Sequence, residues 1–389
     1  MLTAGLVRAD AGDTLNFFVG ASVTHDDNLF RLPGDANSQL VLGKPTKSDR
    51  VYLTYLGMKL DKSYSQQRFQ VDATANNHRY QTFNQLDFNA LDYRALWMWH
   101  LTPRLSGNLS ADSKQSQSNF ADTRDFRARR STVTSENRRF DADWWLHGSW
   151  HLTAGVAQYT NRDSQSFRVD DSFSQRSTDA GVRYVAESGS SLALLGRRTH
   201  GSYDQRQINF ASLVDNEYDQ SDIELRMSWA LSGKSLLDGR ITHLQRSFPN
   251  ISQRDYSGTA GRLDYTLTPT GKLQMKLSAV RRIVSDQVTT SSYYVDDSIA
   301  FAPIWQISGK TALRLNLVSS QRDFLGGAVV ALPVARRDRT QSAQLGLEWS
   351  PIRAVSLSVN LLHDQRNSNY HNLFGYKASV SNIAAQISF

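Results

Sequence analysis

Alternation of apolar and polar residues over long stretches constrains this chain more than any other feature. Leu15, Phe17, Val19, Ala21 and Val23 are separated by Asn16, Gly20 and Ser22, with Phe18 the exception. Ile223, Leu225, Met227, Trp229 and Leu231 alternate with Glu224, Arg226 and Ser228. The pattern recurs at Leu273–Ala279, Leu313–Leu317 and Val355–Leu361. Period two places each set on one face of a β-strand. The segments run to about 13–16 residues, against five or six for an ordinary strand. The chain reads as about eighteen strands, from 13–25 to 374–389, with sixteen as the alternative count. Segments 48–60, 190–204 and 374–389 alternate poorly, which predicts a bulge or register slip in each.

The connections alternate in length. Tight turns on Gly and Pro stand at Leu101-Thr-Pro-Arg104, His147-Gly-Ser149, Leu231-Ser-Gly-Lys234 and Ile307-Ser-Gly-Lys310. Between them lie longer polar stretches at 26–47, 118–131, 163–172, 205–216 and 324–336. Short turns on one side and long loops on the other are the bacterial outer-membrane pattern. All eight tryptophans, Trp97, Trp99, Trp144, Trp145, Trp150, Trp229, Trp305 and Trp349, fall close to a short turn. That placement predicts an aromatic girdle at the periplasmic interface. A soluble propeller would show a blade-length repeat, and none is visible. The expected fold is therefore an all-β, transmembrane, antiparallel up-and-down β-barrel in the outer membrane of a Gram-negative bacterium, in contact with outer-membrane lipid.

Composition removes other classes. Among 389 residues there is no cysteine, which excludes a disulfide scaffold and thiol or Cys–zinc chemistry. No apolar run reaches 18 residues, so no helix is expected to span a bilayer. The net charge of +7 is spread along the chain and does not point to nucleic acid. Residues 1–12 read as a signal-peptide remnant and N-terminal tail, with Val7-Arg8-Ala9 fitting a small-x-small cleavage site. An ordinary N-terminal tail is the alternative. Residues 13–389 read as one barrel.

A barrel of sixteen to eighteen strands encloses an aqueous lumen. A charge on the lipid face at the bilayer midplane costs about 2–4 kcal/mol, so charges share the polar parity. This assigns Arg94, Arg183, Arg226, Arg240, Arg262, Arg282, Arg314 and Lys276 to the lumen. Asp72, Asp92, Asp112, Asp141, Asp143, Glu224, Asp238, Asp264 and Glu348 join them, giving an acidic early wall and a basic later one. Such charges either pair to stiffen the wall or form a path for an anionic solute. Trp145 and Phe18 also have inward parity, as stacking rings or as fillers near the rim.

The search for chemistry returns little. Asp26, Asp27 and Asn28 offer too few ligands for calcium and suit a capped turn better. His363-Asp364 has no serine partner and no nucleophile elbow, so no enzyme activity, cofactor or metal is expected. Loop 324–336 is unusually apolar for an external loop. It predicts an inward constriction through Leu325, Val329, Val330 and Leu332, with loop 26–47 as a second candidate.

The opening Asp13-Thr-Leu-Asn-Phe-Phe-Val-Gly-Ala-Ser-Val-Thr-His-Asp-Asp-Asn-Leu-Phe-Arg-Leu-Pro33 resembles the start of EpsL-type outer-membrane proteins of exopolysaccharide clusters. Asp27–Arg31 is its most specific part, and the ending Ile383–Phe389 resembles the signal read by the barrel-assembly machinery. The resemblance implies a passive conduit for an exopolysaccharide chain, working with separate periplasmic polysaccharide-export components. The alternative is a general or anion-preferring diffusion porin. A structural barrel or a barrel enzyme is the remaining reading. A monomer is expected.

Overall fold

A computed structural model describes residues 14–118, 120–122, 129–165, 172–288, 290–326 and 334–389, without the side chains of 287 and 288. Eighteen strands form one sheet. They are β1 (Leu15–Asp26), β2 (Asp49–Tyr64), β3 (Gln67–Tyr80), β4 (Phe88–Thr102), β5 (Leu105–Gln117), β6 (Thr132–His147), β7 (Trp150–Asp163), β8 (Phe173–Val185) and β9 (Ser191–Ser202). The second half comprises β10 (Glu217–Ser232), β11 (Ser235–Ser247), β12 (Tyr256–Thr270), β13 (Leu273–Val288), β14 (Ser291–Ser308), β15 (Thr311–Leu325), β16 (Arg337–Ile352), β17 (Val355–Ser368) and β18 (Tyr376–Ser388). Each strand pairs antiparallel with its sequence neighbours, and β1 pairs with both β2 and β18, which closes the barrel. Closure removes every sheet edge, which a membrane-spanning sheet requires. At the seam Phe17 and Phe389 exchange backbone hydrogen bonds of 2.8 Å and their rings stack.

The apolar parity faces outward. Val19, Leu56, Val156, Leu194, Ile223, Ile299 and Ile383 are exposed on this face. Their bare surface in a single chain is explained by a lipid solvent, so the barrel is an outer-membrane barrel. Trp97, Trp144, Trp150, Trp229, Trp305 and Trp349 stand on the same face beside the short turns. Trp145 alone has inward parity.

No bulge lies in the three segments that alternate poorly; β2, β9 and β18 keep continuous registers. The alternation blurs because large side chains also occupy the inner face. Tyr55 and Phe18 lie over directly paired glycines, Gly20 and Gly57, where an added Cβ would sit 2.3 and 2.2 Å from the rings. Leu195 is likewise buried inward. Most register shifts fall instead at the tight turns, as at Ala230/Ser232, Gln306/Ser308 and Trp349/Ile352.

The loop side is built on buried aspartates, and one construction occurs twice. Asp49 accepts from the backbone N–H of Thr82 (2.8 Å) and Phe83 (3.0 Å), while Tyr80 N–H donates to Asp87. On the opposite arc Asp215 accepts from the N–H of Asn250 (2.9 Å) and Ile251 (3.1 Å), while Phe248 N–H donates to Asp255. Each ties a one-turn 3₁₀ segment, Asn84–Leu86 or Ser252–Arg254, to the preceding loop. Asp215 is fully buried, so Asp215→Ala strands the N–H groups of Asn250 and Ile251. A lost bond to a charged group costs about 1.5–3 kcal/mol. Urea unfolding in vesicles should show a loss of about that size, and an unchanged midpoint would deny the brace.

Candidate functional site

The lumen narrows at the loop side. Residues 120–122, between β5 and β6, reach across the mouth to the first loop and to β15, β17 and β18. Its Phe120 packs on Phe30 of the first loop at 4.5 Å between ring centroids, in a buried cluster with Leu32, Phe83, Leu86 and Phe88. Its Ala121 packs against Tyr376 and Ala378 of β18. Its Asp122 pairs with Arg322 of β15 at 3.0 Å and Arg366 of β17 at 2.8 Å. Arg366, only 3% exposed, also donates to the Ala121 carbonyl at 2.9 Å. Burial pushes the Asp122 carboxyl up, but the Arg322 and Arg366 guanidiniums outweigh it and hold it below the ordinary value. The apolar core thus sits inside the mouth, and a charged latch holds residues 120–122 across it.

The expected constriction was loop 324–336. Leu325 instead ends β15, paired with Tyr293 on the outward parity. Val329, Val330 and Leu332 lie outside the described residues. Loop 26–47, the second candidate, does fold inward through Phe30 and Leu32. Loop 118–131 carries little apolar residue of its own, and the partner that holds it, Arg366, lies a long way along the chain.

Below the mouth, Arg94, Arg183, Arg226, Arg240, Arg262, Arg282 and Arg314 all have the parity opposite the apolar belt, as do Asp141 and Asp143. The structure brings most of them together on one arc. Arg226, Arg240 and Arg262 are directly opposed on β10, β11 and β12 and form one row. The next row towards the turns is Ser228, Asp238, Asp264 and Ser278. Glu224 flanks the arginines on the loop side and accepts from Arg226 and from Thr242 (3.0 Å). Arg262 donates to Asp264 at 2.6 Å, and Lys276 lies 3.5 Å from the same carboxylate. Further round, Arg282 donates to Asp296 at 2.5 Å.

Nearer the turns, Asp143 bridges His151 (2.6 Å) and Arg183 (2.5 Å). Asp141 accepts from Asn108 at 3.0 Å and lies 3.5 Å from Arg139. These groups and the arginine row line one cavity of about 1070 Å³. Arg94 and Arg314 stand apart from it. Arg94 is opposed by Asp72 and Asp112 on the early wall, and Arg314 pairs with Glu348 at 3.0 Å. Trp145 is a rim residue whose Nε1 donates to the Gly148 carbonyl at 2.7 Å.

The expected split into an acidic wall and a basic wall is replaced by a split in depth. Acids occur all round, but on β10, β12 and β14 Glu224, Asp264 and Asp296 lie against the wall beneath the cations. Arg226 and Arg240 are 43% and 51% exposed over Glu224 at 5%; Arg282 is 59% exposed over Asp296 at 2%. Arg139 and Arg197, which flank the buried Asp179, escaped the sequence reading although they share the inward parity.

The remaining motif residues are structural. Asn28 binds the Leu32 backbone and the Lys377 carbonyl, Arg31 donates to Asp26, and Asp27 accepts from Ser379 N–H. Asp26 to Arg31 is therefore a turn that seats the first loop, and its oxygens are not collected for calcium. His363 faces outward towards Ser379, whereas Asp364 faces inward and accepts from Tyr376. Neighbours on a strand point to opposite faces, so they form no dyad.

No family model and no curated protein matches the chain. Solved porin structures do. OpdK of Pseudomonas aeruginosa, crystallised with vanillate, covers 96% of this chain and 99% of its own, at 10% identity and a TM-score of 0.52. A BenF-like porin from Pseudomonas fluorescens Pf-5 gives 11% identity, 96% and 99% coverage and a TM-score of 0.53. OccK2 (OpdF) of Pseudomonas aeruginosa gives 11%, 96% and 98%, and 0.54. These likenesses concern the fold and correct the EpsL-type resemblance. Asp27–Arg31, its most specific part, encodes a local turn, while the whole barrel superposes on porins. The exopolysaccharide conduit and its periplasmic export partners fall with it; a mouth latched by loop 118–131 is not a wide bore for a polymer.

Proposed function

We propose that the protein is a diffusion porin that prefers small anionic solutes. The observation that carries this reading is the row Arg226–Arg240–Arg262. Like charges directly opposed across strands destabilise a sheet, so three guanidiniums in one row are costly to the fold and useful to a passing anion. Their counter-charges sit deeper in the wall, so a solute meets guanidinium first. Arginine offers paired donors that match a carboxylate or phosphate. The likeness to porins, one of them crystallised with the carboxylate vanillate, supports the same reading. The channel works as a monomer without catalysis, the solute moving down its own gradient.

The test is a bilayer reversal potential under a salt gradient with small monovalent ions. The expected sign is that of anion selectivity. A cation-selective potential for the intact protein would sink the reading. Screening over about 10 Å at 0.1 M salt predicts that the preference weakens as salt rises.

A further inference from the structure

The outward face carries a second cationic array, separate from the lumen. Arg138, Arg162, Arg176 and Arg198 lie on four consecutive strands, β6 to β9, with outward parity and on the loop side of the apolar belt. All four are set in the sheet by register. Gln158 is opposed by both Arg138 and Arg176, and Arg176 is opposed by His200, which makes Arg198 its diagonal neighbour. Strand spacing puts Arg138 and Arg176 about 10 Å apart, and the diagonal pair about 7–8 Å. Phe140 follows Arg138 directly on the outward face, and Val156 pairs with it. On β8 and β9 the small residues Thr178, Ala180 and Gly196 come between the arginines and Val182 and Leu194. Phe140, Val156, Val182 and Leu194 are all exposed. The one acid on the outward face of these strands, among the described residues, is Glu136, 3.4 Å from Arg138.

From this geometry we infer that the β6–β9 wall is a binding site for a phosphorylated lipid of the outer leaflet, held through Arg138, Arg176 and Arg198. Guanidinium is the side chain that binds phosphate with paired donors. Cations two strands apart can grip more than one phosphate of a single headgroup. Acyl chains of the same molecule would lie on the belt below, so charge and apolar surface are offered in the order that an outer-leaflet lipid presents them. A second copy of this chain would set arginine against arginine if the same face met itself.

The test uses the full chain in a neutral detergent and native mass spectrometry. The probes are lipid A with two phosphates, lipid A with one phosphate, phosphatidylethanolamine and inorganic phosphate. The two-phosphate lipid should bind tightest. The triple variant R138Q/R176Q/R198Q should lose it by roughly 100-fold, from the usual worth of three cations near an anionic lipid surface. Glu136→Gln should tighten it several-fold. Heat-modified gel mobility checks that each variant is folded, and unchanged channel conductance separates this site from the lumen. Equal affinity in the triple variant overturns the proposal. So does displacement by inorganic phosphate at the concentration of the lipid, which would mark a site for the free anion. Chain–chain association that the triple variant abolishes would also overturn it and make the face a protein interface.

Discussion

Replacing Asp122 with alanine should open the channel. Among the described residues of loop 118–131, Asp122 makes the charged contact with the far wall, through Arg322 and Arg366. Its loss leaves Arg366, almost wholly buried, without its carboxylate. Removing one member of a buried pair costs about 3–5 kcal/mol, but Asp122 is itself 41% exposed. Solvent screening reduces the figure to about 1–2 kcal/mol. That still shifts the latched population by about 5–30-fold. Single-channel recordings should show a larger mean conductance and frequent steps, with Phe120 still packed on Phe30 as a partial tether. Arg366→Gln should act in the same direction. An Asp122→Ala channel with wild-type conductance would mean that the loop is held elsewhere.

Acid should mimic that variant, and the sign can be worked out. The Asp122 carboxyl is held below its ordinary value, 3.8, by its two arginines. A lowered carboxyl contributes stability that is fully present above the ordinary value and is lost as pH falls through the lowered one. The latch should therefore stay shut through neutral and mildly acidic pH. It should loosen only below about pH 3.8, and Asp122→Ala should remove that low-pH step.

The two levels of the molecule differ in how openly the sequence displays them. The wall is local: each residue's face follows from its parity, and the apolar belt repeats that parity strand after strand. Arg226, Arg240 and Arg262 can thus be assigned to the lumen one strand at a time. Their union into a single row depends on register, which is set by turn geometry and by bulges such as Ala230/Ser232. The latch is less legible still, since it joins residues 122 and 366 across the lumen. The apolar content of 324–336 marks a segment that must leave water, but hydrophobicity does not say where it goes, and Val329, Val330 and Leu332 lie outside the described residues. Leu325 ends β15 on the outward parity, beyond the polar Ser319, Gln321 and Asp323 of the same face.

Substituting the whole row, R226Q/R240Q/R262Q, should reverse the ion selectivity. Each glutamine keeps a polar side chain of similar reach but removes the charge. The flanking carboxylates stay. Glu224 loses its ion pairs with Arg226 and Arg240, and Asp264 loses Arg262 while keeping Lys276 and the hydroxyl of Ser278. Asp238, in the same row as Asp264, adds to the uncompensated negative charge. The arc that presented guanidinium to the solute then presents carboxylate. The reversal potential should change sign from anion- to cation-selective at low salt, with the change shrinking as salt screens it. Stability should move less than a simple loss of three ion pairs suggests. The cost of opposing three arginines is relieved at the same time, while partly buried acids lose their partners. A control at Arg314, on another wall and paired with the half-exposed Glu348, should leave the sign unchanged. If the triple variant remained anion-selective, the path of the anion would lie elsewhere in the lumen, and Arg139, Arg183 and Arg197 on the neighbouring strands β6, β8 and β9 would be the next residues to neutralise.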